Sequence, residues 1–230
     1  MKILLSWSCG KDSAWALHLL NRQYPGAVSA LLTTVNEAMD RVAIHGVRRS
    51  VLEAQARAAG LPLHVVHLPH PCPNDVYERQ MRTAIADARA NGFTHAAFGD
   101  LFLEDVRRYR EEKLVGTGLE PLFPVWGIPT GELAQQMIDG GLRARLACVD
   151  TRCLDAGFAG REFDHVLLRD LPADVDPCGE RGEFHSCVYA GPMFKEPIAI
   201  ETGETHAVAP YVWRDFTSVG ADVEVGPDTP

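Results

Sequence analysis

Met1-Lys2-Ile3-Leu4-Leu5-Ser6-Trp7-Ser8-Cys9-Gly10-Lys11-Asp12-Ser13-Ala14-Trp15-Ala16-Leu17-His18 opens the chain. A short apolar run over residues 2–8 has strand character, and the apolar spacing over 12–23 is that of a helix. The turn between them is built of small and hydroxylic residues. Its backbone N–H groups can therefore face an anion, and the start of the following helix favours negative charge there. The spacing differs from Gly-x-x-x-x-Gly-Lys-Ser/Thr and from Gly-x-Gly-x-x-Gly, so neither of those phosphate loops is present.

Beyond this turn, strand and helix patterns alternate at short intervals. Residues 27–35, 63–68 and 95–98 read as strands; 46–59 and 76–91 read as helices, ended by Gly60 and Gly92. Such alternation predicts a parallel sheet with helices on both faces, binding its ligand beyond the carboxyl ends of the strands. Three segments lie there: residues 8–13, the loop after Val35, and Gly99-Asp100. The pattern changes near Leu101. A charged helix over 107–114, prolines at 121, 124 and 129, a helix from Thr130 to Ile138 with Thr130 as its cap, and a strand over 144–150 suggest a smaller α+β unit over 101–219. Residues 220–230 read as a tail.

The chain has 230 residues and a formal charge of −9. That balance argues against a nucleic-acid partner, and no apolar run has the length of a membrane span. No signal-peptide pattern opens the chain, and none of the six cysteines forms a Cys-x-x-Cys pair, so reduced thiols in the cytoplasm are expected. The composition leaves a homodimer open.

A second segment stands out: Pro177-Cys178-Gly179-Glu180-Arg181-Gly182-Glu183-Phe184-His185-Ser186. Gly179 and Gly182 permit sharp turns, Glu180 and Glu183 can take a proton or bind a cation or ammonium, and His185 has the chemistry of a general base. On composition alone a solvated surface turn is an equal reading. His67 and His70, without carboxylate partners, make a weak metal case, and Trp7 and Trp15 are expected in the core.

Ser8-Cys9-Gly10-Lys11-Asp12-Ser13 resembles the PP-loop, Ser-Gly-Gly-x-Asp-Ser, of the ATP pyrophosphatases, with Cys9 in place of the first glycine. That resemblance implies ATP as the nucleotide, cleaved between the α- and β-phosphates. Ser8, Gly10 and Ser13 would then donate to the β- and γ-phosphates, Lys11 would offset charge on the leaving pyrophosphate, and Asp12 would hold Mg²⁺. Cys9 reads as a packing residue rather than a nucleophile.

The Cys178–Ser186 segment, together with Gly99-Asp100, Tyr109-Arg110 and Leu119-Glu120-Pro121-Leu122-Phe123-Pro124-Val125-Trp126, is similar to motifs of the diphthine–ammonia ligase family of PP-loop enzymes. The resemblance implies a PP-loop domain over 1–100, a smaller substrate-side domain over 101–219, and the nucleotide between them. It implies a carboxylate acceptor, small molecule or protein, activated as an acyl-adenylate and amidated by ammonium. Gly99 and Asp100 would border the nucleotide. Gly179, Glu180, Gly182, Glu183 and His185 would form the acceptor end, with His45 a further substrate candidate. The loop over 36–46 looks more like that of bacterial relatives, for which an acceptor other than diphthine is expected. Two alternatives stay open. A PP-loop tRNA thiolation enzyme would favour a basic surface and a cysteine pair. A nucleotide sensor would bind ATP and release nothing.

Overall fold

The computed structural model describes residues 1–43 and 46–219. The opening stretch forms β1 (Ile3–Ser6) and α1 (Lys11–Gln23), followed by β2 (Val28–Asn36), the short β3 (Arg41–Val42), α2 (Arg49–Ala59), β4 (Leu63–Leu68), α3 (Asn74–Ala90) and β5 (His95–Ala97). Next come α4 (Glu104–Leu114), β6 (Glu120–Leu122), α5 (Thr130–Asp139), β7 (Arg143–Asp150), α6 (His165–Asp170), β8 (Phe184–Ala190), β9 (Ile200–Val208) and β10 (Tyr211–Ser218).

The main sheet runs β4-β2-β1-β5-β6 with every neighbouring pair parallel, and β3 adds antiparallel to the end of β2. The chain builds outward from β1 to β4, then returns to the other side of β1 for β5 and β6. The order reverses between β1 and β5, and a crevice opens there beyond the strand ends.

Alternation along β1 assigns its two faces. Ile3, Leu5 and Trp7 are buried in the larger core with Leu17 and Leu20 of α1 and Val51 and Leu52 of α2. Leu4 points the other way, toward Ala88, Phe93 and Leu114 beside α3 and α4. This is the period-2 alternation of a strand covered on both sides.

The second sheet, β8-β7-β10-β9, is antiparallel throughout. Its inner residues, among them Leu146, Val149, Phe184 and Val188, lie in the same hydrophobic core as α1 and α2. Residues 104–122, expected with the second unit, instead place β6 beside β5 in the parallel sheet. Thr130 does not cap α5. Pro129 holds the cap position, and the Thr130 hydroxyl donates to Asp176 Oδ2 at 2.6 Å. Strands β9 and β10, with polar outer faces, carried no clear period in the sequence. The expected tail, 220–230, lies outside the described residues.

Asp215 of β10 ties the second sheet to the loop after β2. It accepts from Arg41 Nη1 at 2.9 Å and Arg48 Nε at 2.8 Å. Burial alone would raise the Asp215 carboxyl, but bonds from Arg48 and Arg41 outweigh it and hold it near about 2.

Candidate active site at the phosphate loop

The turn after β1, the candidate anion cradle, is tied together by its own hydroxyls. Ser8 N donates to Ser13 Oγ at 3.3 Å, Gly10 N to Ser8 Oγ at 3.3 Å, and Ser13 Oγ to the Gly10 carbonyl at 3.0 Å. The two serine hydroxyls lie 3.1 Å apart. Gly99, just after β5, packs on the first turn of α1. A Cβ at residue 99 would sit 2.9 Å from both the Asp12 carbonyl carbon and the Ser13 nitrogen, so only glycine allows this approach. Cys9 occupies the left-handed region at φ 67°, and its side chain is fully buried. Burial, with Cys187 nearby, pushes its thiol well above the usual range, so it is a packing group and no thiolate nucleophile.

Lys11 does not point out of the loop. It is 2% exposed, its ammonium lies 2.9 Å from Asp12 Oδ2, and it also donates to the Cys178 carbonyl. Burial would favour its neutral form, but Asp12 and the surrounding negative charge hold it charged. The Phe163 and Phe184 rings flank the ammonium at 5.7 and 5.4 Å. Asp12 uses only Oδ2; Oδ1 is buried and has no hydrogen-bond partner among the described residues. Burial pushes the Asp12 carboxyl up, with Lys11 opposing.

The Cys178–Ser186 segment closes over this cradle, so it is not a free surface turn. Asp176 organises it: Oδ1 accepts from Cys178 N at 2.9 Å and Glu180 N at 3.3 Å. Gly179 takes φ 67°, and a Cβ there would meet the Phe184 carbonyl at 2.8 Å. Glu183 is buried and braces the loop from inside, accepting from Asp176 N and Arg181 N, each at 3.0 Å. Glu180 instead reaches the end of β5, where Oε1 accepts from Leu101 N at 2.9 Å. Burial pushes its carboxyl up to about 7; the Leu101 bond opposes this, and the charges of Asp12 and Asp100 add to it.

Asp100 pairs with Arg110 Nε at 3.4 Å, and burial raises it as well. His185, on β8, is pushed down to about 4 by burial and by Lys11, so it is neutral near neutral pH. Ser186, next to it, accepts from Lys11 N at 3.1 Å. Gly182 turns at φ 89° between Glu180 and Glu183. His45 lies outside the described residues.

An open cavity of about 520 Å³ begins at Ser8 and runs along the sheet face beneath α3 and α4. Its floor is Ser6, Thr34, Ala97 and Phe98; Tyr77, Tyr109 and Arg110 stand above it. Its volume is in the range of small-molecule sites, and Ser8 joins it to the cradle.

Sequence reasoning missed Asp176 and Gln55, and it named Arg110 only as part of a motif. A lone amide on the apolar face formed by Val51, Leu52 and Ala58 was the available signal for Gln55. The Asp-Pro-Cys-Gly run was the signal for Asp176.

A parallel sheet with the candidate loop at its reversal point, and a second, antiparallel sheet packed against that loop, place the chain in the α/β class. A family model described as the diphthamide synthase N-terminal domain matches residues 1–116, and one described as the diphthamide synthase C-terminal domain matches residues 129–215. The chain belongs to this family. It is similar to a curated Bos taurus protein, diphthine–ammonia ligase, with 29% identity over 136 residues, covering 54% of this chain and 51% of that protein. It thus spans about half the length of that relative. A solved structure of the U34-tRNA thiolase NcsA from Methanococcus maripaludis, with its 4Fe-4S cluster, is 22% identical, with 60% of this chain and 55% of that one covered at a TM-score of 0.40.

Proposed function

We propose that this protein is an ATP-dependent carbon–nitrogen ligase that forms AMP. One observation carries the reading: the Cys178–Ser186 segment is folded onto the phosphate loop through the bond from Lys11 to the Cys178 carbonyl, which sets Glu180 beside Asp12 and Asp100. A simple nucleotide sensor needs the cradle and the cavity but no carboxylate cluster beside the loop.

In this reading the cavity takes the adenosine, and Ser8, Gly10 and Ser13 take the β- and γ-phosphates. Asp12 Oδ1, buried and without a partner among the described residues, fits a Mg²⁺ that would offset triphosphate charge. The acceptor carboxylate attacks the α-phosphorus, and the bond to the β-phosphate oxygen breaks. The products are an acyl-adenylate and pyrophosphate. Lys11 acts through Asp12 and Cys178, holding both halves of the site rather than touching phosphate.

Ammonium enters the acidic corner of Asp12, Asp100 and Glu180. Glu180, with a carboxyl near about 7, takes its proton. The ammonia formed attacks the acyl carbon, AMP leaves, and the amide nitrogen loses its extra proton to solvent. His185, neutral and near Lys11, suits a hydrogen bond to the acceptor better than proton removal. The acceptor is a carboxylate, and diphthine is one candidate among others. Incubation with MgATP, ammonium chloride and a carboxylate panel, with and without each component, tests the reading. AMP formation that needs both carboxylate and ammonium supports it, and intact ATP in every mixture ends it.

A further inference from the structure

Gln55, in the middle of α2, is fully buried and touches three separate parts of the molecule. Its Oε1 accepts from Trp7 Nε1 at 2.8 Å, while Nε2 donates to the Cys9 carbonyl at 3.1 Å and to the Val188 carbonyl at 2.7 Å. Indole N–H is a donor only, so Trp7 fixes which end of the amide is oxygen. Both amide hydrogens are then committed to the two carbonyls. The Cys9 carbonyl has a second donor, Val188 N of β8, at 3.0 Å.

A trans peptide points its carbonyl and its N–H in opposite directions. Holding the Cys9 carbonyl toward α2 and β8 therefore turns the Gly10 N–H the other way, into the cradle, where it meets Ser8 Oγ. Cys9 has to adopt φ 67° to do this, a conformation a side chain resists. Two donors on one carbonyl offset that resistance.

We infer that Gln55 is a positioning residue for phosphate recognition: with Val188 it aims the Gly10 N–H at the triphosphate, so that strand β8 of the second sheet forms part of the phosphate site. The inference rests on the nucleotide reading above and extends it to residues far from the phosphates in sequence.

Binding separates this role from a purely structural one. Wild type, Gln55→Met and Trp7→Phe are titrated calorimetrically with α,β-methylene-ATP and, separately, with adenosine. Trp7→Phe keeps an aromatic ring at that position while removing the donor that orients Gln55, and it serves if Gln55→Met does not fold. Gln55→Met is expected to weaken the ATP analogue about tenfold, as for one lost bond to a charged group. Trp7→Phe should weaken it less, and in both variants the loss for the ATP analogue should exceed any loss for adenosine, because Trp7 also lines the cavity. Variants that bind both ligands like wild type, or lose both equally, overturn the inference while the nucleotide site stands. A wild type that binds neither ligand overturns the nucleotide reading and this inference with it.

Discussion

The Lys11 ammonium donates to the Cys178 carbonyl across 167 residues of chain. A motif residue expected to face phosphate thereby becomes the bolt between the phosphate loop and the acceptor-side segment. Lys11→Met should leave Asp12 Oδ2 and the Cys178 carbonyl buried without their cation. Removing one partner of a buried pair costs about 3–5 kcal/mol. Urea denaturation should show a loss of that order, and AMP formation should vanish. Stability close to wild type would mean that the ammonium is solvated in solution.

Asp12→Asn keeps the shape of the side chain and removes its charge. AMP formation should fall about a hundredfold or more, as for other lost charge-stabilising groups, and its dependence on Mg²⁺ should flatten. Steady-state rates across a magnesium series would show both effects. An unchanged magnesium curve would remove Asp12 as the metal-binding group.

Glu183 looked in the sequence like a partner of Glu180, but its carboxylate is committed to the Asp176 and Arg181 amides. Glu183→Ala strands two backbone donors, each worth about 1–3 kcal/mol when buried. The variant should therefore lose stability in a thermal melt and lose turnover through a disordered loop. If its melting temperature matches wild type while turnover collapses, Glu183 acts in the chemistry instead.

Glu180 gives the pH dependence. Its carboxyl lies near about 7 because of burial, well above the unfolded value of about 4.3. The native state thus holds a proton that the unfolded chain has already released. Its contribution to stability is full below the unfolded value and fades as pH rises through about 7. For a base the rate runs the opposite way, rising as Glu180 ionises through the same window. Glu180→Gln should abolish the rise in kcat/KM for ammonium and flatten that segment of the stability curve. A variant with the wild-type pH–rate profile would assign the proton to another group.

Much of the fold was legible because β1, α1, β4 and α5 carry clean periods and a glycine or proline stop. The strand–turn–helix around Ser8–Ser13 was legible because an apolar run, small residues and a helical period follow one another in order. The boundary near Leu101 was not, since β6 is three residues long and contains Pro121, and only its pairing with β5 reveals it. Strands β9 and β10 were hidden by polar residues such as the exposed Glu201, Glu204 and Thr205 and the half-buried Arg214. Within the candidate site, the closeness of Glu180 and Asp100 and the inward turn of Lys11 were not readable. The direction of a lysine depends on the Cys178 carbonyl and the Phe163 and Phe184 rings, which arrive from much later in the chain.

The most direct measurement follows the α-phosphate itself. The protein is incubated with α-³²P-ATP, Mg²⁺, ammonium chloride and a fractionated metabolite extract as the carboxylate source, and the labelled nucleotide is separated by chromatography. AMP with an equal amount of pyrophosphate, appearing only when carboxylate and ammonium are both present, is the expected result. Label in ADP, with orthophosphate released, would contradict cleavage between the α- and β-phosphates and with it the ligase assignment.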